Sequence, residues 1–165
     1  MAESMDLFLV APSSLPNAAV FFEQTFGSPP SSVLFFPGPT GSGWDSATVQ
    51  GVIFHLFDPA QGGFGNPAVE NFLRTVFPDK PLHALRAWCE TPQNEDIVPF
   101  VRDELLPALA DATNGVIAEE TVVVYRAGDA KERAGGECKA FRALVDRQIN
   151  LRSQPPSKAE DWSDL

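Results

Sequence analysis

The run Gly38-Pro39-Thr40-Gly41-Ser42-Gly43 follows the apolar segment Val33–Phe36, as a phosphate-binding loop follows its strand. Such a loop needs a lysine next, to neutralise phosphate charge, and then a hydroxyl to hold magnesium. Trp44 and Asp45 stand in those places, and a carboxylate there repels phosphate. The residues that follow, SATVQGVIF, read as strand, so the helix N-terminus that would hold an anion is also missing. Nucleotide binding is therefore not expected. The loop 37–45 reads as a long hairpin connection. Trp44 either folds back on the core or stands at the tip as an anchor for a partner. Together with Asp45 it is counted as a candidate partner-binding residue.

The histidines and cysteines offer less. His55 and His83 are the only histidines. His55 shares a strand face with Ile53 and Phe57, so a core or half-buried position is expected. A metal site needs further ligands at defined spacing, and no H-x-E, H-E-x-x-H or C-x-x-C pattern occurs. No metal and no cofactor are expected. His83 and Cys89 lie six residues apart, roughly 20 Å along a strand at about 3.3 Å per residue, too far for a nucleophile and its base. Cys89 and Cys138 are too few for a disulfide framework and read as free thiols in a reducing cytoplasm. Asp58, after the apolar run, is a conceivable general base, although an aspartate that starts the turn FDPAQGG is the plainer account. An enzyme site, if there is one, has to be assembled from dispersed residues such as Asp58, His55 and Glu90.

Charge is the more informative property. The net charge is −10, from 12 basic and 22 acidic residues. Residues 1–73 contain no Lys or Arg and six acids, and residues 90–120 hold eight acids against Arg102 alone. Such a field repels nucleic acid and anionic membrane and attracts basic partners. Within 90–120, Asp96, Asp103 and Glu104 lie off the apolar stripe of an expected helix, Asp111 is one or two turns further on, and Glu90, Glu95, Glu119 and Glu120 flank it. They form either a merely solvated face or a docking surface for a basic protein.

The elements that would position these residues follow from periodicity. Val49–Asp58 (VQGVIFHLFD) is apolar on both alternating faces and reads as a central strand covered on both sides. Leu7–Ala11 and Val33–Phe36 are further strands. Between them Leu15, Ala18, Ala19, Phe22 and Phe26 fall at helical spacing, with Pro16 in the first turn and Gly27 at the end. Asn66 and Pro67 start a helix that Pro78 stops, and Leu82–Glu90 favours strand. Ile97, Val101, Leu105, Leu109 and Ala112 give a helix over about 95–113 that Pro107 must kink or split. Thr121–Tyr125 is the most β-prone run. A last helix buries Cys138, Phe141, Val145 and Ile149.

The resulting order is β-α-β-β-α-β-α-β-α, whose first six elements match a ferredoxin-like split unit. The expected fold is α/β (α+β): one mixed sheet of about five strands with about four packed helices. A single domain over 1–152 is expected, followed by a mobile acidic tail over 153–165. No run approaches the roughly 18 apolar residues of a membrane span. The first residues, MAESMDLFLVAPSS, lack the basic start of a secretory signal.

Small acidic α/β chains without catalytic motifs are common among immunity proteins that neutralise bacterial toxins, an analogy of type. The expectation is a cytoplasmic protein-binding module that occludes the active site of a basic toxin or nuclease. The alternatives are the dispersed-site enzyme, an adaptor or structural subunit, or a mimic of nucleic-acid charge. The sequence leaves the oligomeric state open.

Overall fold

The computed structural model describes residues 4–39, 41–57, 71, 74–75, 83–119, 122–128 and 138–153. In chain order the elements are β1 (Met5–Ala11), α1 (Ala18–Phe26), a 3₁₀ turn (Pro30–Val33), β2 (Phe35–Phe36), β3 (Thr48–Val49), β4 (Val52–Phe57) and β5 (His83–Cys89). A continuous helical segment over 97–113, here α2, follows as an α-helical turn (Ile97–Pro99), a π-helical stretch (Phe100–Leu105) and an α-helix (Leu106–Thr113). The chain then gives β6 (Val116–Glu119), β7 (Val122–Arg126) and α3 (Lys139–Ser153).

The described strands form one seven-stranded sheet in the order β2-β3-β4-β5-β1-β6-β7, antiparallel at every pairing. The fold is therefore α/β as expected, with the mixed sheet of five strands corrected to seven antiparallel strands among the described residues; three helices are bounded there, and the remaining expected helix falls mostly outside them. Two of the added strands come from hairpins. Val49–Asp58 is not one strand: Val49 pairs with Val52 across a two-residue turn, Gln50–Gly51. Gln50 (φ 46°) and Gly51 (φ 93°) both have positive φ, which the type I′ hairpin turn requires. After Asn114, the short run Val116–Glu119 forms β6, with Glu119 opposite Val122 of β7. The 3₁₀ turn takes Val33 out of the expected second strand and leaves β2 only two residues.

Of the expected helix over 66–78, positions 71, 74 and 75 are described. They are helical, and the Thr75 hydroxyl donates to the Asn71 carbonyl one turn back. Asp58, the loop 59–65 and the tail beyond Ser153 lie outside the described residues.

An antiparallel sheet can leave one face to water, and this one is strongly two-sided. On one face Leu7, Leu9, Val52, Phe54, Leu85, Ala87 and Ile117 pack against α1, α2 and α3 in one apolar core. The rings of Phe22, Phe26, Phe35, Phe100 and Phe141 pair through centroid distances of 4.8 to 6.1 Å. On the other face Val10, Ala84, Val116 and Ala118 make a smaller buried cluster with Phe8 and Phe57. Expected cover on both sides of Val52–Phe57 is thus corrected. Val52 and Phe54 are wholly buried, whereas Ile53 is 38% exposed and His55 is exposed. The strand is paired on both edges, but β5 is the central strand.

The helices are bounded by their caps. The Asn17 side chain accepts from the Val20 amide, and Gly27 closes α1 in the left-handed conformation. Pro107 acts inside α2 as expected, though through an unexpected geometry. Proline has no N–H for the carbonyl four residues back. The backbone takes up the change in the π-helical stretch, where the Leu106 amide donates to the Val101 carbonyl. In α3 the buried positions are Phe141, Leu144 and Gln148, and Ile149 is exposed. Four-residue steps drift about 40° each around a helix of 3.6 residues per turn, so Val145 stays partly buried against the core as expected while Ile149 rotates off it. Among the described residues no helix is long and apolar enough to cross a membrane.

Candidate functional site

The acids singled out on α2 have different local roles. Asp96 pairs with Arg147 at 2.6 Å, and its amide donates to the Asn94 side chain at 2.9 Å. Asp103 receives both arms of the neighbouring Arg102 guanidinium at 2.9 Å and stays exposed. Asp111 accepts from the Tyr125 hydroxyl at 2.6 Å and the Gly128 amide at 3.0 Å, tying α2 to the end of β7. Glu95 is exposed beside Asp96.

Glu104 is half-buried, and its carboxylate accepts from the amides of Ala140 (2.8 Å) and Phe141 (3.2 Å). It caps the first turn of α3 from another helix. Burial pushes its carboxyl above the ordinary range, against the lowering effect of those amides and of the Cys138 thiol. Glu104 thus has an architectural role at the start of α3 that its place in the acidic set did not foresee. Among the described residues no group of acids, histidines and cysteines is arranged to hold a metal ion.

The glycine loop is a clasp around a buried tryptophan. The Gly38 amide donates to the Gly43 carbonyl at 2.6 Å, and the Ser42 carbonyl accepts from Ala18, the first residue of α1, at 2.7 Å. A Cβ on Gly38 would strike the carbonyl oxygen of Asp45, so only glycine allows this closure. Trp44 is 0% exposed, donates from Nε1 to the Pro16 carbonyl at 2.7 Å, and packs on Phe21, Phe35 and Phe54. It folds back on the core, so the alternative of a contact residue at the loop tip is overturned.

Asp45 accepts from the Leu56 amide at 3.1 Å and lies 3.2 Å from His55 Nδ1. That pairing draws His55 out on the sheet surface with its side chain 60% exposed, correcting the expected core or half-buried position. Among the described residues no Ser, Thr or Cys hydrogen-bonds to His55. His55 stands opposite Arg86, and Glu90 is four residues further along the same chain, roughly 13 Å at strand spacing. The dispersed enzyme site is thus not brought together by His55 and Glu90, and Asp58 lies outside the described residues.

The same face carries a feature that the motifs missed. Register sets Phe36, Thr48, Ile53, Trp88 and Asp6 in one row across β2, β3, β4, β5 and β1. Arg86, one position along, binds Asp6 with two hydrogen bonds of 2.8 and 2.7 Å and lies over the rings of Phe8 and Trp88. At the β2 end of the row, Phe36 is 56% exposed and lines a pocket of about 330 Å³ with Leu34, Thr48, Gly51, Ile53 and Gln93. The sequence signal was the Gln50–Gly51 pair, which splits the apolar run and turns Ile53 outward. No protein-family model, curated protein or solved structure matches this chain.

Proposed function

We propose that the chain is a protein-binding module whose partner is basic. The observation that carries this reading is the charge distribution: a net charge of −10, with no Lys or Arg in the first 73 residues. That stretch supplies β1 to β4 and α1, and it contributes Phe36 and Ile53 to the exposed face of the sheet. An apolar patch inside a negative field favours a partner with apolar contacts and positive charge, and the field speeds their encounter.

Glu95, Asp103 and Asp111 are exposed, and Asp45 and Asp96 part-exposed; all support it with negative charge, though Asp103, Asp96 and Asp111 also have local partners. The most concrete form is an inhibitor of the immunity type, acting in the cytoplasm and covering the active site of a basic toxin or nuclease. Cys89, buried, and Cys138, half-buried, form no disulfide, which suits that reducing compartment.

The experiment is affinity capture from the native host at about 0.05 M salt, followed by elution towards about 0.5 M, where screening shortens the reach of charges severalfold. The reading predicts retained protein that is basic and released by salt. Retention of only acidic or neutral proteins, or retention indifferent to salt, contradicts it.

A further inference from the structure

The pocket at the β2 end of the sheet has walls of fixed shape. Its floor is the Gln50–Gly51 turn, and the Gln50 side chain is buried and satisfied at both ends. Nε2 donates to the Val33 carbonyl at 2.6 Å, and Oε1 accepts from the Asn94 side chain. One amide thus ties the 3₁₀ turn, the β3–β4 hairpin and the segment before α2 together. Leu34, next to the accepting carbonyl, is held at φ 61°. A pocket fixed in this way before binding loses less entropy when filled.

Its lining divides by chemistry. Leu34, Phe36 and Ile53 are apolar; Thr48 and Gln93 are polar and uncharged. No Lys or Arg occurs in residues 4–57, which form all of the lining except Gln93. The 91–94 segment, which packs against Gly51, is flanked by Glu90 and Glu95, both exposed. Arg86, the cation on β5, is bound to Asp6. The volume is at the small end of the roughly 300–1,000 Å³ of ligand sites, suited to one side chain and not to a large ligand.

We infer that this pocket receives a lysine or arginine side chain from an extended basic segment of the protein partner. Its methylene stem lies on Leu34 and Ile53, and its cationic head meets the face of Phe36, within the negative field of a stretch that carries no Lys or Arg. The inference rests on the proposed basic partner and adds where that partner docks.

A test uses the full chain, ¹⁵N-labelled, titrated with a blocked hexapeptide of alternating lysine and glycine. The control peptide carries norleucine in place of lysine. The expected result is saturable shifts of the Thr48, Gly51, Ile53 and Gln93 amides with the lysine peptide, and affinity at least about tenfold weaker with norleucine. Ile53→Lys should weaken lysine-peptide binding by at least about tenfold while leaving the melting temperature within about 2 °C, because Ile53 is on the open face. Gln93→Ala, at an exposed residue outside the sheet, gives a second variant and should also reduce affinity. Equal binding of the two peptides, or no shift at the pocket, overturns the inference. Shifts confined to residues 95–111 overturn the pocket but leave the basic-partner reading standing. That reading is separately contradicted if the capture experiment retains no basic protein.

Discussion

Glu104 carries two opposing influences that a sequence cannot weigh. Burial raises its carboxyl pKa, while the Ala140 and Phe141 amides and the Cys138 thiol lower it, and burial prevails. Its folded pKa therefore lies above its unfolded value. Between those two values the native state holds more protons than the unfolded chain, so stability from this group is present at low pH and falls as pH rises through the folded pKa. Melting temperatures from about pH 4 to pH 7 for the native chain and Glu104→Gln should show the native chain losing stability relative to the variant as pH rises. A constant difference over that range would contradict the assignment. Glu104→Ala, which leaves two helix amides without their acceptor, should cost about 0.5–2 kcal/mol. Spacing marked Glu104 as off the apolar stripe, which is true of its place on α2. What spacing could not contain is that α3, 36 residues later, begins against it. For Trp44 the sequence left two positions open, and the loop glycines that bring it back to Pro16 decide between them.

At the scale of elements, the parts governed by local chemistry were legible. Asn17 and Gly27 bound α1, Pro107 disturbs α2, and Leu82–Glu90 contains a strand. The parts governed by pairing were not. An apolar run with residues on both faces reads as doubly covered, but a Gln-Gly turn makes two antiparallel strands of it and leaves Ile53 outward. Likewise Val116–Glu119 is too short to stand out beside Thr121–Tyr125, and only its pairing with β1 and β7 makes it a strand. The turn is testable. At Gly51, φ is 93°, and a Cβ would lie 3.3 Å from the Thr91 carbonyl oxygen and 3.4 Å from Gln93 Cγ. Gly51→Ala should therefore destabilise the protein by about 1–3 kcal/mol, measured by urea unfolding. A loss below about 0.3 kcal/mol would mean that the hairpin relaxes freely or is differently built.

For the molecule as a whole, the sheet separates a helix-covered face from one bearing the row Phe36, Thr48, Ile53 and Trp88, of which Phe36 and Ile53 are exposed and Thr48 and Trp88 half-buried. The sequence carried the charge that surrounds this face but not the face itself, because its members come from four strands whose order the chain does not state. The acidic set also changes on this scale: Glu104 holds the start of α3 and Trp44 lies in the core, leaving Glu95, Asp103 and Asp111 exposed and Asp45 and Asp96 part-exposed.

The most direct measurement of the central claim is the affinity of the captured partner for the native chain and for Glu95→Lys/Asp103→Lys, by calorimetry at two salt concentrations. Each reversal changes charge by two units at an exposed position. The double variant should bind at least about tenfold more weakly, about 1.4 kcal/mol, with a melting temperature nearly unchanged. Raising salt should weaken the native complex in the same direction. Affinity unmoved by both the reversal and the salt would contradict docking through acidic charge.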